Sequence, residues 1–268
     1  MIPRASITAW RARAPWALDE QVEQDLVIHR ALVELFSDPA LRSALAFRGG
    51  TALHKLHFPQ PARYSEDIDL VQVRAEPFGE TMTALRKKLM PWLGKPQWKQ
   101  TQGRVTVVFR FASEIPPVTS LKLKVEVNTR EHLAVLGYTN QRVEVSTPWF
   151  SGNADLTTFA LEELLGTKLR ALYQWKKGRD LFDVAHAPES STGLDADKVV
   201  ACFVAYLHYE GSAISRTQFE ENLAGKIADA AFCGDVMPLL AGEERRFDPR
   251  RAFAIVMDRL GSRLPKER

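Results

Sequence analysis

The chain has few of the features that mark several common protein classes. Only two cysteines, Cys202 and Cys233, occur in 268 residues, which argues against a disulfide framework or a thiolate metal site and favours reduced, buried thiols. No apolar run approaches the length that spans a bilayer, and the N-terminal residues lack the apolar core of a signal peptide. We therefore expect a cytoplasmic protein with no membrane partner.

The excess of charge of either sign is also small. Lysine and arginine number 36 against 33 aspartates and glutamates, and the net charge of +3 permits a nucleic-acid partner without arguing for one. The sequence contains no zinc-ligand spacing, Walker loop, nucleophile elbow or internal repeat. A hydrophobic content of 45% and a charged content of 26% are typical of a soluble globular protein with one large or two modest domains.

The most informative segment is FRGGTALHKLHFPQPARYSEDIDLV, which begins at Phe47. It predicts the end of a strand, a turn at Gly49 and Gly50, a helix that opens at Thr51, a loop, and a second strand. Glycines let a polyanion approach the backbone, and a helix N-terminus offers unpaired N–H groups with partial positive charge. This turn therefore predicts a phosphate-binding site, although such a turn is also common without any ligand.

Two aspartates follow on the second predicted strand. Residues two apart on a strand point to the same face, so Asp67 and Asp69 project together while Ile68 and Leu70 face the core. Paired carboxylates suit Mg²⁺ or Mn²⁺, and beside a phosphate-binding turn they predict metal-assisted phosphoryl or nucleotidyl transfer. The alternative is a solvated pair without a ligand.

In this order the residues resemble the nucleotidyltransferase superfamily related to DNA polymerase beta, and more closely the AbiEii/AbiGii toxin family of type IV toxin–antitoxin systems, which includes the MenT toxins. The resemblance implies a metal-dependent enzyme that transfers a nucleoside monophosphate from an NTP. It also implies a growth-inhibiting toxin with an antitoxin encoded nearby. Members of the MenT branch extend the 3′ end of tRNA and block aminoacylation, so tRNA is the expected acceptor.

Further residues of the first domain join this predicted site. Arg63 and Ser65 lie in the loop before the aspartates, near the predicted site, and both are predicted to contact the nucleotide. Arg63 suits this role because a guanidinium binds phosphate oxygens with two hydrogen bonds. In the superfamily a third carboxylate comes from a later strand. Glu126, on a predicted strand from Leu121 to Asn128, is the candidate metal ligand; the alternative is an ordinary exposed strand charge. Lys55, on the helix after the turn, is interpreted as a solvated lysine; the alternative is a contact with a triphosphate.

The composition becomes helical after a predicted linker, Pro148 to Asp155. We therefore expect a nucleotidyltransferase core over residues 1–155 and a helical domain over residues 156–268. On the helix predicted from Thr157 to Trp175, Lys168 falls in the middle of a leucine stripe. A lysine there must snorkel or pair with an anion, which is either a ligand or a structural salt-bridge partner.

A second signature, LEELLGTKLRALYQWKKGRDLFDV, resembles the lysine-bearing helix and RDxxD turn of the AbiEii family. The resemblance implies that Lys168 binds the phosphates of the nucleotide and that Arg179, Asp180 and Asp183 complete the site. The two aspartates are three residues apart on a helix and share a face. Helix capping and compensation of the helix dipole are the alternative for at least one of them.

These inferences predict an α/β (α+β) nucleotidyltransferase core with a mixed sheet, followed by a mainly helical domain, with the active site in the cleft between them. The predicted reaction transfers a nucleotide to RNA, with Asp67, Asp69, Lys168, Asp180 and Asp183 as catalytic residues. Two alternatives stay open: an acceptor that is a protein or a small molecule, and a non-catalytic NTP sensor.

Overall fold

The structure, a computed structural model, describes residues 2–58, 60–190 and 193–266. These residues form two compact units. The first comprises the described residues up to Leu56 together with Tyr64–Leu133 and Tyr138–Phe159. The second comprises the described residues between His57 and Arg63, then Ala134–Gly137, and the described residues from Ala160 onward.

The first unit contains a seven-stranded sheet in the order β3-β4-β5-β2-β1-β7-β6. Its strands are β1 Leu45–Arg48, β2 Asp67–Gln72, β3 Gln97–Thr101, β4 Arg104–Ala112, β5 Ser120–Asn128, β6 Tyr138–Ser146 and β7 Ser151–Phe159. β2 pairs in parallel with β5 and β1 in parallel with β7, whereas the other neighbours are antiparallel. The sheet is therefore mixed, and the predicted fold class is confirmed.

The helices of the first unit surround this sheet. They are α1 Arg4–Trp10, α2 Asp19–Phe36, α3 Pro39–Ala44, α4 Gly49–Leu56 and α5 Gly79–Leu93. The long helix α2 lies against β5, β6 and β7 and buries most of its apolar side chains. On the central strands, Phe47, Ile68 and Val125 are fully buried, as alternation with polar neighbours predicts for a sheet with one face in the core.

A buried ionic cluster connects three of these helices. Asp25 of α2 is 3% exposed and accepts hydrogen bonds from Trp10 Nε1 (2.9 Å), Trp16 Nε1 (3.2 Å) and Lys55 Nζ (2.6 Å). His29 lies within 3.0 Å of the same carboxylate. Although burial raises the pKa of Asp25, Lys55 and His29 lower it well below its usual range. Our interpretation of Lys55 as a solvated lysine is therefore wrong, because its side chain is 8% exposed and paired.

The second unit is built mainly from helices. Beyond the first unit the elements are α6 Leu161–Gln174, α7 Gly178–Ser190, α8 Ala196–Tyr209, α9 Arg216–Ile227, α10 Ala230–Gly234 and α11 Pro249–Arg259, with 3₁₀ turns at Met237–Leu239, Gly242–Arg246 and Gly261–Arg263. Asp195 and Ser215 cap the N-termini of α8 and α9 with their side-chain oxygens. Among the described residues, none of the helices combines the length and apolar character that crossing a membrane requires.

The predicted linker from Pro148 to Asp155 is wrong. Residues from Ser151 form β7, which pairs with β6 along its whole length. Ala154, Leu156 and Thr158 are buried while the residues between them are more exposed, which is the period of a strand. The helix expected from Thr157 therefore begins only at Leu161.

Replacing Asp25 with Asn tests the buried cluster. The substitution leaves the Lys55 ammonium buried without its counter-charge, and we expect the free energy of unfolding to fall by about 3–5 kcal/mol in urea denaturation at pH 7. Because the pKa of Asp25 is lowered in the folded protein, its contribution is complete above the unfolded value of about 3.9 and is lost at lower pH. The difference between wild type and variant should therefore shrink below about pH 4.

The matched control is Asp155→Asn in the same unit. Asp155 pairs with Arg142 at 3.1 Å, but their side chains are 45% and 59% exposed. An exposed ion pair contributes about 1 kcal/mol or less, so the control should unfold nearly as the wild type does. Equal losses in the two variants would contradict the argument that burial makes the Asp25 cluster important.

Candidate functional site

The glycine turn packs directly against one of the two predicted catalytic aspartates. Gly49 has φ +83°, a conformation that L side chains rarely adopt, and it begins α4 straight after β1. In the antiparallel pairing of β1 with β2, Arg48 lies opposite Asp69. A Cβ atom on Gly49 would overlap Asp69 Oδ2. Glycine is therefore needed here for two reasons, its backbone conformation and the close approach of the carboxylate.

Thr51 connects the first turn of α4 to the strand that carries the aspartates. Its hydroxyl donates to the Asp67 carbonyl at 2.5 Å and lies 2.7 Å from Ser65 Oγ. Thr51 is 1% exposed. The Thr51 and Ser65 side chains therefore fix the turn to β2. Because the Thr51 hydroxyl is already bonded, the predicted phosphate contact of Thr51 would come from its backbone amide. The roles of Gly49, Gly50, Thr51 and Ser65 in nucleotide binding stay predictions.

The parallel pairing of β2 with β5 assembles the acidic residues of the first unit. Asp67 lies opposite Lys124 and Asp69 opposite Glu126. Lys124 Nζ is 2.8 Å from Asp67 Oδ2 and 3.5 Å from Glu126 Oε1. Thr106 Oγ1 also donates to Glu126 Oε1, at 3.4 Å. Strand register thus brings together the three carboxylates that the sequence singled out, and it places Lys124 beside them.

The donor chemistry of this cluster fits a divalent cation in part. Asp67 Oδ1 is buried and accepts no hydrogen bond from any residue that the structure describes, so an oxygen ligand is available. Within the described residues, however, no three His, Cys, Asp or Glu side chains are grouped as a preformed metal site. A cation bound by Asp67 and Asp69 would draw its other ligands from nucleotide or water, as is usual for Mg²⁺. The role of Glu126 as a third ligand stays a prediction.

The second unit contains a separate, buried charge cluster at the lysine and RDxxD motif. Lys168 of α6 donates to Asp180 Oδ1 at 2.8 Å and lies 3.0 Å from Asp183 Oδ2 on α7. The side chains of Lys168, Asp180 and Asp183 are 13%, 8% and 0% exposed. Burial lowers the pKa of Lys168, but the two carboxylates outweigh that effect and raise it. Lys168 is therefore charged, and the predicted alternative of an ion pair is present in the structure.

Arg63 completes this cluster from a distant part of the sequence. Its Nε and Nη2 donate to the two oxygens of Asp183, both at 2.7 Å, and Arg63 is 3% exposed. This two-point contact binds the guanidinium plane to a carboxylate of its own chain. Two cations then balance two carboxylates in the buried cluster. The contact of Arg63 with phosphate stays a prediction, and its pairing with Asp183 was not foreseen.

Two arginines near the motif lie in contrasting environments. Arg179 is exposed, and its backbone N–H donates to Asp235 Oδ2 at 3.3 Å. Arg170 lies on the face of α6 away from Lys168, a face that α8 covers. It is 6% exposed, pairs with Glu210 at 3.0 Å and lies over the Tyr206 ring.

A family model described as "Nucleotidyl transferase AbiEii toxin, Type IV TA system" matches residues 30–258. The chain belongs to the AbiEii family. The resemblance inferred from the glycine turn and the two aspartates is confirmed, and this AbiEii protein is a member of a family of nucleotidyltransferase toxins of type IV toxin–antitoxin systems.

Solved structures support the fold of this AbiEii protein. MenT4, a nucleotidyltransferase toxin from Mycobacterium tuberculosis H37Rv, matches with a TM-score of 0.65 at 18% identity, over 94% of this chain and 89% of that one. A candidate nucleotidyltransferase from H. pylori matches with a TM-score of 0.57 at 16% identity, over 89% and 92% of the two chains. At such identities the likeness shows the fold alone. Comparison with curated proteins finds no match.

Replacing Gly49 with Ala tests the close approach of Asp69. The new Cβ both strains the backbone and displaces the carboxylate, so we expect stability to fall by about 1–3 kcal/mol and nucleotidyl transfer to fall about 100-fold. Gly94→Ala is the matched control, because Gly94 has φ +79° but open space around its Cβ position. Urea denaturation and a transfer assay on both variants check this: the control should lose stability only. A Gly49→Ala enzyme with wild-type activity would contradict the assigned contact.

Proposed function

We propose that this protein transfers a nucleoside monophosphate from an NTP to RNA, at the 3′ end of tRNA, with release of pyrophosphate. The observation that carries the proposal is the pair Asp67 and Asp69 on one face of β2, with Asp69 packed on the Gly49 turn, in a chain of the AbiEii family. Carboxylates that bind a divalent cation beside a phosphate-binding helix N-terminus suit the transfer of a nucleotidyl group.

In the first unit we assign the metal and the phosphate contacts. Asp67 and Asp69, with Glu126, would hold Mg²⁺ or Mn²⁺, and the cation would supply charge neutralisation for the reacting phosphates. The backbone amides of Gly49, Gly50 and Thr51 donate to the triphosphate at the N-terminus of α4. Ser65 supports this turn through its contact with the Thr51 hydroxyl. The metal requirement is supported by the family and by Asp67 Oδ1, which lacks a hydrogen-bond partner in the described part of the chain.

In the second unit we assign charge balance and positioning. Lys168 and Arg179 bind phosphates of the nucleotide, and Asp180 or Asp183 positions nucleotide or acceptor. Arg63 holds Asp183 by its two-point contact, which fixes that carboxylate in one orientation. A lysine that contacts two buried carboxylates is charged and pre-oriented, so little ordering is needed when it also contacts an anionic ligand.

The biological role follows from the family and the proposed acceptor. A nucleotide added at the 3′ end of tRNA blocks aminoacylation, so translation and growth stop until an antitoxin neutralises the enzyme. Because the proposed substrates, NTP and tRNA, are cytoplasmic, the proposed reaction takes place in the cytoplasm. Expression of the chain without its antitoxin should therefore inhibit growth.

Replacing Asp69 with Ala should abolish the reaction and leave the fold intact. Protein, Mg²⁺, total bacterial RNA and each α-labelled NTP in turn are incubated and separated on a denaturing gel. Wild type should label RNA of tRNA length, and the variant should show a loss of at least about 100-fold, because removal of one group that stabilises transition-state charge costs about that much. The labelled lane also identifies the NTP that the enzyme selects.

The matched control is Asp155→Ala, which removes an exposed carboxylate of the same unit and should label RNA as the wild type does. An Asp69→Ala protein with normal activity would refute the metal site. Labelled protein or small molecules in place of RNA would show that the acceptor is not RNA. Binding of NTP without any release of pyrophosphate would show that the protein is a nucleotide sensor and not an enzyme.

Replacing Lys168 with Met tests the second unit. We expect the catalytic efficiency for the NTP to fall about 100-fold, since a charged donor to the phosphates is lost. Lys177→Met, which removes an exposed lysine from the turn before α7, is the control and should have little effect. Circular dichroism establishes the folded fraction of each variant. If Lys168 is only a structural ion-pair partner, the variant will melt at a lower temperature but transfer nucleotide normally per folded molecule.

A further inference from the structure

Lys124 occupies a position where carboxylates of the proposed metal site converge. Its Nζ lies 2.8 Å from Asp67 Oδ2 and 3.5 Å from Glu126 Oε1, so one ammonium bridges two acidic side chains. The parallel register of β2 and β5 requires this arrangement, because it places Lys124 opposite Asp67 and Glu126 opposite Asp69. A cation of the protein's own thus lies between the groups that are proposed to hold a divalent cation.

The charge of Lys124 is stabilised by these neighbours. Partial burial lowers its pKa, but the hydrogen bond to Asp67 and the charges of Asp67, Glu126 and Asp69 raise it above the ordinary value. The lysine is therefore an ammonium ion at physiological pH. It offsets the mutual repulsion that three neighbouring carboxylates would otherwise experience in the absence of metal.

The two oxygens of Asp67 differ in their environments. Oδ2 accepts the hydrogen bond from Lys124, whereas Oδ1 is buried and has no hydrogen-bond partner among the described residues. A buried carboxylate oxygen without a hydrogen bond is costly, so Asp67 is only partly satisfied by the lysine. Asp67 is thus held ready for a second positively charged group.

We propose that Lys124 is a positioning residue that competes with the divalent cation for Asp67. In the metal-free protein its ammonium holds Asp67 and Glu126 together, and a cation that engages Asp67 fully must displace it. Metal binding to the protein alone is then weak, and it becomes favourable when a nucleotide brings phosphate ligands of its own. This inference rests on the proposed metal-dependent transfer at the same carboxylates.

The same strand supplies a matched control. Lys122 lies two residues earlier on the same face of β5, but it is 45% exposed and its partner is Glu66, at 3.6 Å. Lys124, by contrast, is 27% exposed and contacts the proposed metal ligands. Lys122→Met and Lys124→Met therefore each remove one positive charge from β5. Only Lys124→Met removes the group that is proposed to compete with a metal ion for Asp67.

The test is a titration of nucleotide-free protein with Mn²⁺, followed by electron paramagnetic resonance of the unbound ion. Lys124→Met should bind Mn²⁺ on the order of tenfold more tightly than wild type, a difference of about 1.4 kcal/mol. Lys122→Met and the charge-retaining Lys124→Arg should resemble wild type. Adding Asp67→Asn to Lys124→Met should remove the gain. Mg²⁺ should also raise the melting temperature of Lys124→Met more than that of wild type.

If Lys124 forms only a structural ion pair, its loss would disturb the site and weaken Mn²⁺ binding. The direction of the change in Mn²⁺ affinity therefore distinguishes a structural role of Lys124 from competition with the metal. Equal or weaker binding by Lys124→Met, including no detectable binding by either protein, overturns the proposal. The outcome is also separable from the proposed function. A wild type that transfers nucleotide, with unchanged Mn²⁺ affinity in Lys124→Met, refutes only the competition, whereas a wild type without transfer refutes the function and leaves the competition measurable.

Discussion

The register of β2 between β1 and β5 is the constraint on which the candidate site of the first unit depends. Antiparallel pairing with β1 brings Asp69 against the Gly49 turn, and parallel pairing with β5 brings Lys124 and Glu126 beside the two aspartates. Because side chains alternate along a strand, a shift of one residue would turn both aspartates toward the core and Ile68 toward solvent. Burial of the apolar residues of β2 therefore also fixes the geometry of its carboxylates.

In both units, carboxylates lie close together without a ligand, and cationic side chains of the protein offset their mutual repulsion. In the first unit this compensation is partial, since Lys124 satisfies one oxygen of Asp67 and the other has no hydrogen-bond partner within residues 2–58, 60–190 and 193–266. In the second unit it is complete, because Lys168 and Arg63 balance Asp180 and Asp183 in a buried cluster. A complete cluster rigidifies its members, whereas a partial one favours the arrival of a further cation.

The sequence predicted those features of the site that depend on local spacing. Alternation along β2 placed Asp67 and Asp69 on one face, and helical periodicity placed Lys168 among leucines, where it needed an anion. The partners could not be predicted, because they depend on contacts between distant residues. Arg63 and Asp183 are 120 positions apart, and the role of Lys124 depends on which strand lies beside β2. The period of β7 was present in the sequence, but the glycine and asparagine near its start led us to predict a linker.

Lys55 helps to hold the predicted phosphate-binding turn in place. On a short helix after a glycine turn, an isolated lysine is usually solvated, but here it reaches the buried Asp25 of α2. Helix α4 is thus fixed at both ends: Thr51 binds β2 near its N-terminus, and Lys55 binds the buried cluster one turn later. Amides that must meet a phosphate without reorganisation need such support from residues behind them. In the proposed mechanism, the first unit combines donors held in place on α4 with one charge, Lys124, that a bound cation would displace. This division would let a single site be stable without metal and still bind one together with a nucleotide.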